Sequence, residues 1–166
     1  MTEDSKQNFS TSAEISHQQA MNTAVRILAN RDHSKYELKQ KLRKRGVTNK
    51  VIDTVMLECE RFNYINDPRT AHVYISQLKR KCFGKRYIFM ALKKKHLIGP
   101  AIENILLENY PDADEFENAG KLLEKKMEAF RREADQQKRR QKIYRLLYAR
   151  GFKTEIISDL IRNLVK

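Results

Sequence analysis

Apolar residues recur at intervals of three and four along most of the chain, the spacing of one buried helix face. Met21, Ala24, Val25 and Leu28 predict a first helix over 18–31. Ser34 and Glu37 have capping-box spacing, in which each side chain satisfies a free backbone N–H of the first turn. A second helix starts there, with Leu38 and Leu42 as its stripe. Gly46 ends it as a residue able to take positive φ. Thr48 is placed to cap a third helix whose buried side is Val51, Ile52 and Val55. Asp67-Pro68 reads as the next start, with Asp as cap and Pro in the first turn. Its stripe is Ala71, Tyr74, Ile75 and Leu78. Gly84 opens a helix carrying Ile88 and Leu92, and Gly99-Pro100 one carrying Ile102, Ile105 and Leu106. Residues 1–16 are polar and lack periodicity, which predicts a disordered tail.

The pattern repeats. A shift of 50 positions sets Leu38, Leu42, Val47, Ile52 and Val55 on Ile88, Leu92, Leu97, Ile102 and Ile105. A shift of 105 sets the same five on Ile143, Leu147, Phe152, Ile157 and Leu160, and Gly46 on Gly151. His96 stands where the middle copy would have its helix-ending glycine, and His tolerates positive φ better than most residues. The extra residues of the third copy fall within 114–140, which predicts an unusually long first helix there. The expectation is an all-α chain of three tandem three-helix repeats over 17–65, 66–110 and 111–166. Units of this size bury little surface alone and stack on their neighbours, so an elongated, curved, solenoid-like molecule is expected.

Composition agrees with helices: 5 Gly, 3 Pro and no Trp in 166 residues. No apolar run is long enough to span a bilayer, and no apolar stretch follows the N-terminus as in a secretory leader. Cys59 and Cys82 do not make a disulfide framework, so a reducing cytoplasm is expected. No Walker loop, dinucleotide-binding glycine motif or nucleophile elbow is present, and His17, His33, His72 and His96 have no metal-like spacing. The sequence therefore supports no enzymatic reaction, no cofactor and no metal.

The formal net charge is +13, which attracts polyanions. It is concentrated in three windows, each over the middle helix of one repeat. Positions 31–45 hold seven Lys or Arg against two acids, 79–95 hold eight against none, and 138–153 hold seven against none. Positions 103–128, by contrast, hold eight acids and three bases, an internal control for the basic windows. A single basic run is ordinarily a solvated face. Recurrence at one place in each repeat points to a working stripe that neutralises phosphates in a salt-dependent way. The candidate contacts are Lys35, Lys39, Arg43, Lys44 and Arg45 in the first repeat. In the second they are Lys79, Arg80, Lys81, Lys85, Arg86, Lys93, Lys94 and Lys95, and in the third Arg139, Arg140, Lys142, Arg145 and Arg150. Tyr36, Phe83, Tyr87, Tyr144 and Tyr148 lie among them, either as inter-helix packing or as platforms for unpaired bases.

The run Arg31-Asp32-His33-Ser34-Lys35-Tyr36-Glu37-Leu38, then Lys41-Leu42 and Arg45-Gly46-Val47, resembles the first repeat of the RecX family. Tyr64-Ile65-Asn66-Asp67 with Arg69 and Ala71 is similar to the start of its second repeat, and Gly84 with Ile88 and Leu92 to its middle helix. Ile143, Leu146, Leu147, Arg150-Gly151-Phe152 and Ile156 resemble its last repeat. Departures lie in the second repeat: Lys85 stands where the family usually has Pro, Ala91 for Glu, His96 for Gly and Thr70 for an aromatic. The resemblance implies a cytoplasmic, noncatalytic modulator that binds RecA and the RecA–DNA filament and limits recombination and coprotease activity, within DNA repair and the SOS response. It leaves open a direct, weaker binding of DNA, or a basic DNA-binding module with no specific protein partner. A monomer is expected. Solution scattering of an elongated monomer and a circular dichroism spectrum free of strand are the expected observations; the scattering of a compact sphere would contradict the stacked repeats.

Overall fold

The computed structural model describes residues 15–164. The tail expected over 1–16 lies outside these except at its end. Ile15 packs against the first core and Ser16 caps the first helix, accepting from the Gln19 N–H. The described residues form nine helices. The chain divides into two compact units, one ending at Ile65 and one beginning at Asn66.

The first unit is α1 (His17–Asn30), α2 (Lys35–Arg43) and α3 (Asn49–Arg61). Both Ser16 and Ser34 make full capping boxes, with Gln19 and Glu37 returning the bond. Its core joins Ala20, Ala24 and Ile27 to Leu38, Leu42, Val47, Ile52 and Val55. The buried face of α1 is turned slightly from the expected one. Val25 is exposed, while Ile27 is buried and Met21 and Leu28 lie at the margin.

The second unit holds α4 (Asp67–Arg80), α5 (Lys85–Lys94), α6 (Pro100–Asn109), α7 (Asp112–Arg131), α8 (Gln136–Ala149) and α9 (Thr154–Asn163). Asn66, one residue before the expected Asp67, is the cap of α4. Its side chain accepts from the Arg69 N–H, which leaves Asp67 in the first turn. At 20 residues α7 is the longest helix described, as the insertion in the third copy requires. Two cores lie within this unit. One gathers Ile75, Ile88, Leu92, Leu97, Ile102 and Tyr110. The other gathers Ala119, Leu122, Ile143, Leu147, Phe152, Ile157 and Leu160, together with Cys82 from the end of α4.

The register read from the sequence is physically the same device used three times. Every aligned apolar position is buried except Ile105, which is partly so. Each middle helix closes on one left-handed residue: Gly46 at φ 79°, His96 at 54° and Gly151 at 82°. The next N–H then turns back onto the helix, Val47 to the Leu42 carbonyl, Leu97 to Leu92 and Phe152 to Leu147, at 3.0–3.3 Å. This closure satisfies carbonyls that a helix end leaves open, and it points the next apolar side chain into the core.

Gly84 and Gly151 join the two halves of the second unit backbone to backbone. A Cβ on Gly84 would lie 2.3 Å from the Gly151 carbonyl oxygen, and one on Gly151 2.4 Å from the Tyr87 nitrogen. Gly84, the cap position of α5, therefore has no side chain to offer, and its helix takes its acceptors from far along the chain. The Gly84 N–H donates to the Arg150 carbonyl at 2.9 Å and the Arg86 N–H to the Gly151 carbonyl at 3.1 Å. Between them the Lys85 N–H donates to Oε1 of Glu115, a fully buried carboxylate in the first turn of α7, at 2.9 Å. Burial pushes the Glu115 carboxyl up, against the opposing pull of the Lys85 N–H and ammonium.

Leu42 is fully buried where all three helices of the first unit meet. Leu42→Ala is expected to destabilise that unit by about 2–5 kcal/mol in urea unfolding; a loss under about 0.5 kcal/mol would place Leu42 outside the core. A second prediction concerns pH. Because the folded chain binds the Glu115 proton more readily than the unfolded chain, the stability tied to this group is fully present below about pH 4 and is lost as pH rises through the raised value. Glu115→Gln keeps an oxygen for the Lys85 N–H and removes the buried charge. The stability of this variant relative to the parent should climb as unfolding is repeated from about pH 4 towards pH 7. A pH-independent difference would mean that the carboxyl titrates as in the unfolded chain.

Candidate functional site

The basic side chains of the three windows, which the structure spreads over the end of α4 and the start of α9 as well as the middle helices, fall into two groups, those already matched by an acid and those facing solvent. In the first unit Lys35 pairs with Glu60 at 2.9 Å and Lys39 with Asp53 at 3.1 Å. Arg43 Nε donates to Asn49 Oδ1 at 3.1 Å. The four-residue row of α2 thus leans on α3, and Lys44 and Arg45 are left exposed at the helix end.

In the second unit most of the matching acids come from the 103–128 stretch expected to be a separate acidic surface, and Glu133 lies just beyond it. Lys79 pairs with Asp114 and donates to the Asn109 carbonyl at 3.1 Å. Lys85 is largely buried, pairs with Asp112 and lies 4.0 Å from Glu115. Asp112 also holds Lys153 at 2.8 Å. Lys153 foremost, and then Lys85, holds the Asp112 carboxyl down at about 2. Lys142 pairs with Glu133 at 2.6 Å, and Arg139 Nε donates to the Glu133 carbonyl at 3.1 Å. Glu115, buried beneath this network, is a structural residue and not an acidic surface control; exposed Glu117, paired with Lys121 at 2.7 Å, has that character. Windows free of acid in sequence are not free of acid in space, because α7 delivers its first turn onto the lysines at the start of α5 and α9.

Arg80, Lys81, Lys93, Lys94, Arg140 and Arg145 are exposed and pair with no acid among the described residues. Several cations of these windows rest on aromatic rings. The Arg86 guanidinium lies 3.8 Å from the Tyr148 ring centre and Arg150 4.9 Å from that of Phe83. Lys93 lies over Phe89 at 5.4 Å and Lys95 over Tyr74 at 4.8 Å. Arg150 also donates to the Lys81 carbonyl at 3.2 Å. Four of the five aromatics singled out form two parallel pairs: Phe83 on Tyr87 at 4.0 Å and 13°, and Tyr144 on Tyr148 at 5.8 Å and 12°. Tyr36 is exposed in the first unit. No helix of the described residues is long and apolar enough to cross a membrane. No cluster of three or more His, Cys, Asp or Glu among them is placed to hold a metal ion.

This register of helices has known counterparts. Residues 20–59 match the family model for RecX, first three-helix domain, and residues 113–161 that for RecX, third three-helix domain. The regulatory protein RecX of Vibrio vulnificus (strain CMCP6) is 36% identical over 135 residues, 81% of this chain and 86% of that protein. That of Haemophilus influenzae (strain PittGG) is 29% identical over 143 residues, 86% of this chain and 92% of that one. The crystal structure of RecX from Lactobacillus salivarius shares the fold with a TM-score of 0.79 at 23% identity, covering 89% of this chain and 96% of that one. A second crystal structure, of a regulatory protein RecX, gives 0.78 at 19% identity over 89% of this chain and 73% of that chain. Three-helix domains closed on left-handed residues, matched at both ends of the chain and by relatives along most of its length, place this chain in the RecX family.

Proposed function

We propose that the chain is a cytoplasmic, noncatalytic regulator that binds the RecA recombinase filament and limits its recombination and coprotease activities, and so acts in DNA repair and the SOS response. The observation that carries this reading is the survival of exposed cations, unmatched by acids, on or just beyond the middle helix of every repeat: Lys44 and Arg45 after α2, then Lys93 and Lys94, then Arg140 and Arg145. The family is one of regulatory proteins rather than enzymes, which agrees with it. A filament of protein on nucleic acid offers phosphates and carboxylates at regular intervals, so several weak contacts on one chain add up to useful affinity. A second reading, a basic DNA-binding module with no specific protein partner, is favoured by the aromatic pairs set among the cations. It predicts bare DNA binding as strong as filament binding at matched salt.

The test replaces Lys44, Arg45, Lys93, Arg140 and Arg145 together by Gln. None of these makes an ion pair among the described residues, and surface changes of this kind rarely exceed about 0.5 kcal/mol each. The variant should remain folded, inhibit RecA-driven strand exchange less than the parent, and show a salt dependence flattened by about one unit of slope per lost phosphate contact. Glu117→Gln should leave inhibition unchanged. A parent chain that does not inhibit strand exchange would sink the reading; full inhibition by the folded five-fold variant at physiological salt would show that these cations do not make the contact and send the search to the apolar faces.

A further inference from the structure

Tyr87, Tyr144 and Tyr148 are each more than a third exposed, in the two acid-free windows of the second unit. An exposed tyrosine is ordinary by itself. These three are held in place, and by the same joint. The Gly84–Gly151 crossing carries the Phe83–Tyr87 pair on one strand of the joint and, immediately before it, the Tyr144–Tyr148 pair on the other. The supports are exchanged across it: Arg86 of α5 covers Tyr148 of α8, and Arg150 beyond α8 covers Phe83 beside α5. Each exposed ring therefore has a support that orients it before anything binds: Phe83 behind Tyr87, Arg86 beside Tyr148, and Tyr148 itself beside Tyr144. Beyond Phe83, Tyr87 lines an open groove of about 370 Å³ with Tyr74, Met90, Ala91, Lys94 and Lys95. The groove is lined by flat apolar surface and ammonium groups, and no carboxylate lines it. Its size falls within the range of small-ligand sites.

We propose that the exposed rings of Tyr87, Tyr144 and Tyr148 are stacking positions for the unpaired bases of a single-stranded nucleic acid, whose phosphates are met by Lys94, Arg86 and Arg145. The proposal deepens the regulatory reading by naming the polyanion that the second unit meets, and it rests on that reading for the biological setting. Charge complementarity selects a polyanion, and the rings select within that class. A duplex presents the same phosphates but keeps its bases stacked on one another, so it has no free π-face to lay on a tyrosine. An unpaired strand has one at every base, and pre-oriented rings lose little freedom on accepting it. An acidic protein segment would satisfy the cations and leave the rings without a partner.

The experiment titrates the full chain with a fluorescent thymidine oligomer and with a duplex of equal length across a salt series. Tyr87→Leu and Tyr148→Leu are each expected to weaken single-strand binding about tenfold, with the salt slope and the duplex affinity unchanged. Tyr87→Phe and Tyr148→Phe, which keep the ring, should bind as the parent does. In the parent, an oligomer carrying 5-iodouracil should crosslink under light to Tyr87, Tyr144 or Tyr148, a readout independent of whether any variant folds. The stacking proposal is overturned if the folded Leu variants bind the oligomer as the parent does, if they lose oligomer and duplex equally, if the parent binds neither at low salt, or if the crosslink maps elsewhere. If those results coincide with weakened strand-exchange inhibition by the five-fold charge variant, the filament reading stands and only the stacking fails. If the parent itself does not inhibit strand exchange, both fail.

Discussion

The second unit depends on two glycines passing each other at backbone distance. Where Gly84 meets Gly151 there is no room for a Cβ on either side, so Gly84 supplies no capping side chain; the Gly84 and Arg86 N–H groups find acceptors on the turn after α8 and the Lys85 N–H finds one on α7. Leaving such buried donors unmatched costs about 1–3 kcal/mol each. The arrangement around the joint follows from that need. Glu115 is buried because the Lys85 N–H requires an oxygen, Lys85 is held near it because a buried carboxylate requires a cation, and Asp112 ties Lys85 to Lys153. A proline at position 85 would have no N–H to donate to Glu115. Lysine there and glutamate at 115 form one device.

Much of the fold was legible because it rests on local rules. The five apolar positions of each repeat, the capping serine of α2, the long α7 and the left-handed closures at Gly46, His96 and Gly151 are all within a few residues of their causes. The cap of α4 was read one residue late because Asn66 and Asp67 are both good caps and only the side-chain bond to the Arg69 N–H separates them. The face of α1 was read through Val25, but the alanines at 20 and 24 let the neighbouring helices approach on the adjoining side. The glycine crossing was not legible at all. It is a contact between main chains, and a main chain leaves no side-chain signature in sequence.

The candidate site was legible as a list of cations and illegible as a charge distribution. Composition counts acids within a window, whereas the field at a surface depends on acids within a Debye length in space. Asp53, Glu60, Asp112, Asp114 and Glu133 all reach basic windows from outside them. The lysines nearest the joint consequently serve the fold, and the solvent-facing cations are displaced towards Lys44 and Arg45 just after α2, the C-terminal end of α5 and the outer face of α8. The aromatic pairs escaped the periodicity reading for a related reason: their order is set by guanidinium groups from another helix, over separations of 62 and 69 residues in the two hydrogen-bonded arginines.

The same separations impose an order on biosynthesis. The first unit closes entirely among residues before position 66, so it can finish folding while the remainder of the chain is still being made. The α5 helix cannot. Its opening N–H groups have no acceptor until Glu115 and then Arg150 and Gly151 leave the ribosome, and until then they are satisfied only by water. The second unit is thus completed only after the turn that follows α8 has been synthesised. A ribosome that stalls between α6 and α8 holds a nascent chain whose first unit is native and whose middle repeat is still open.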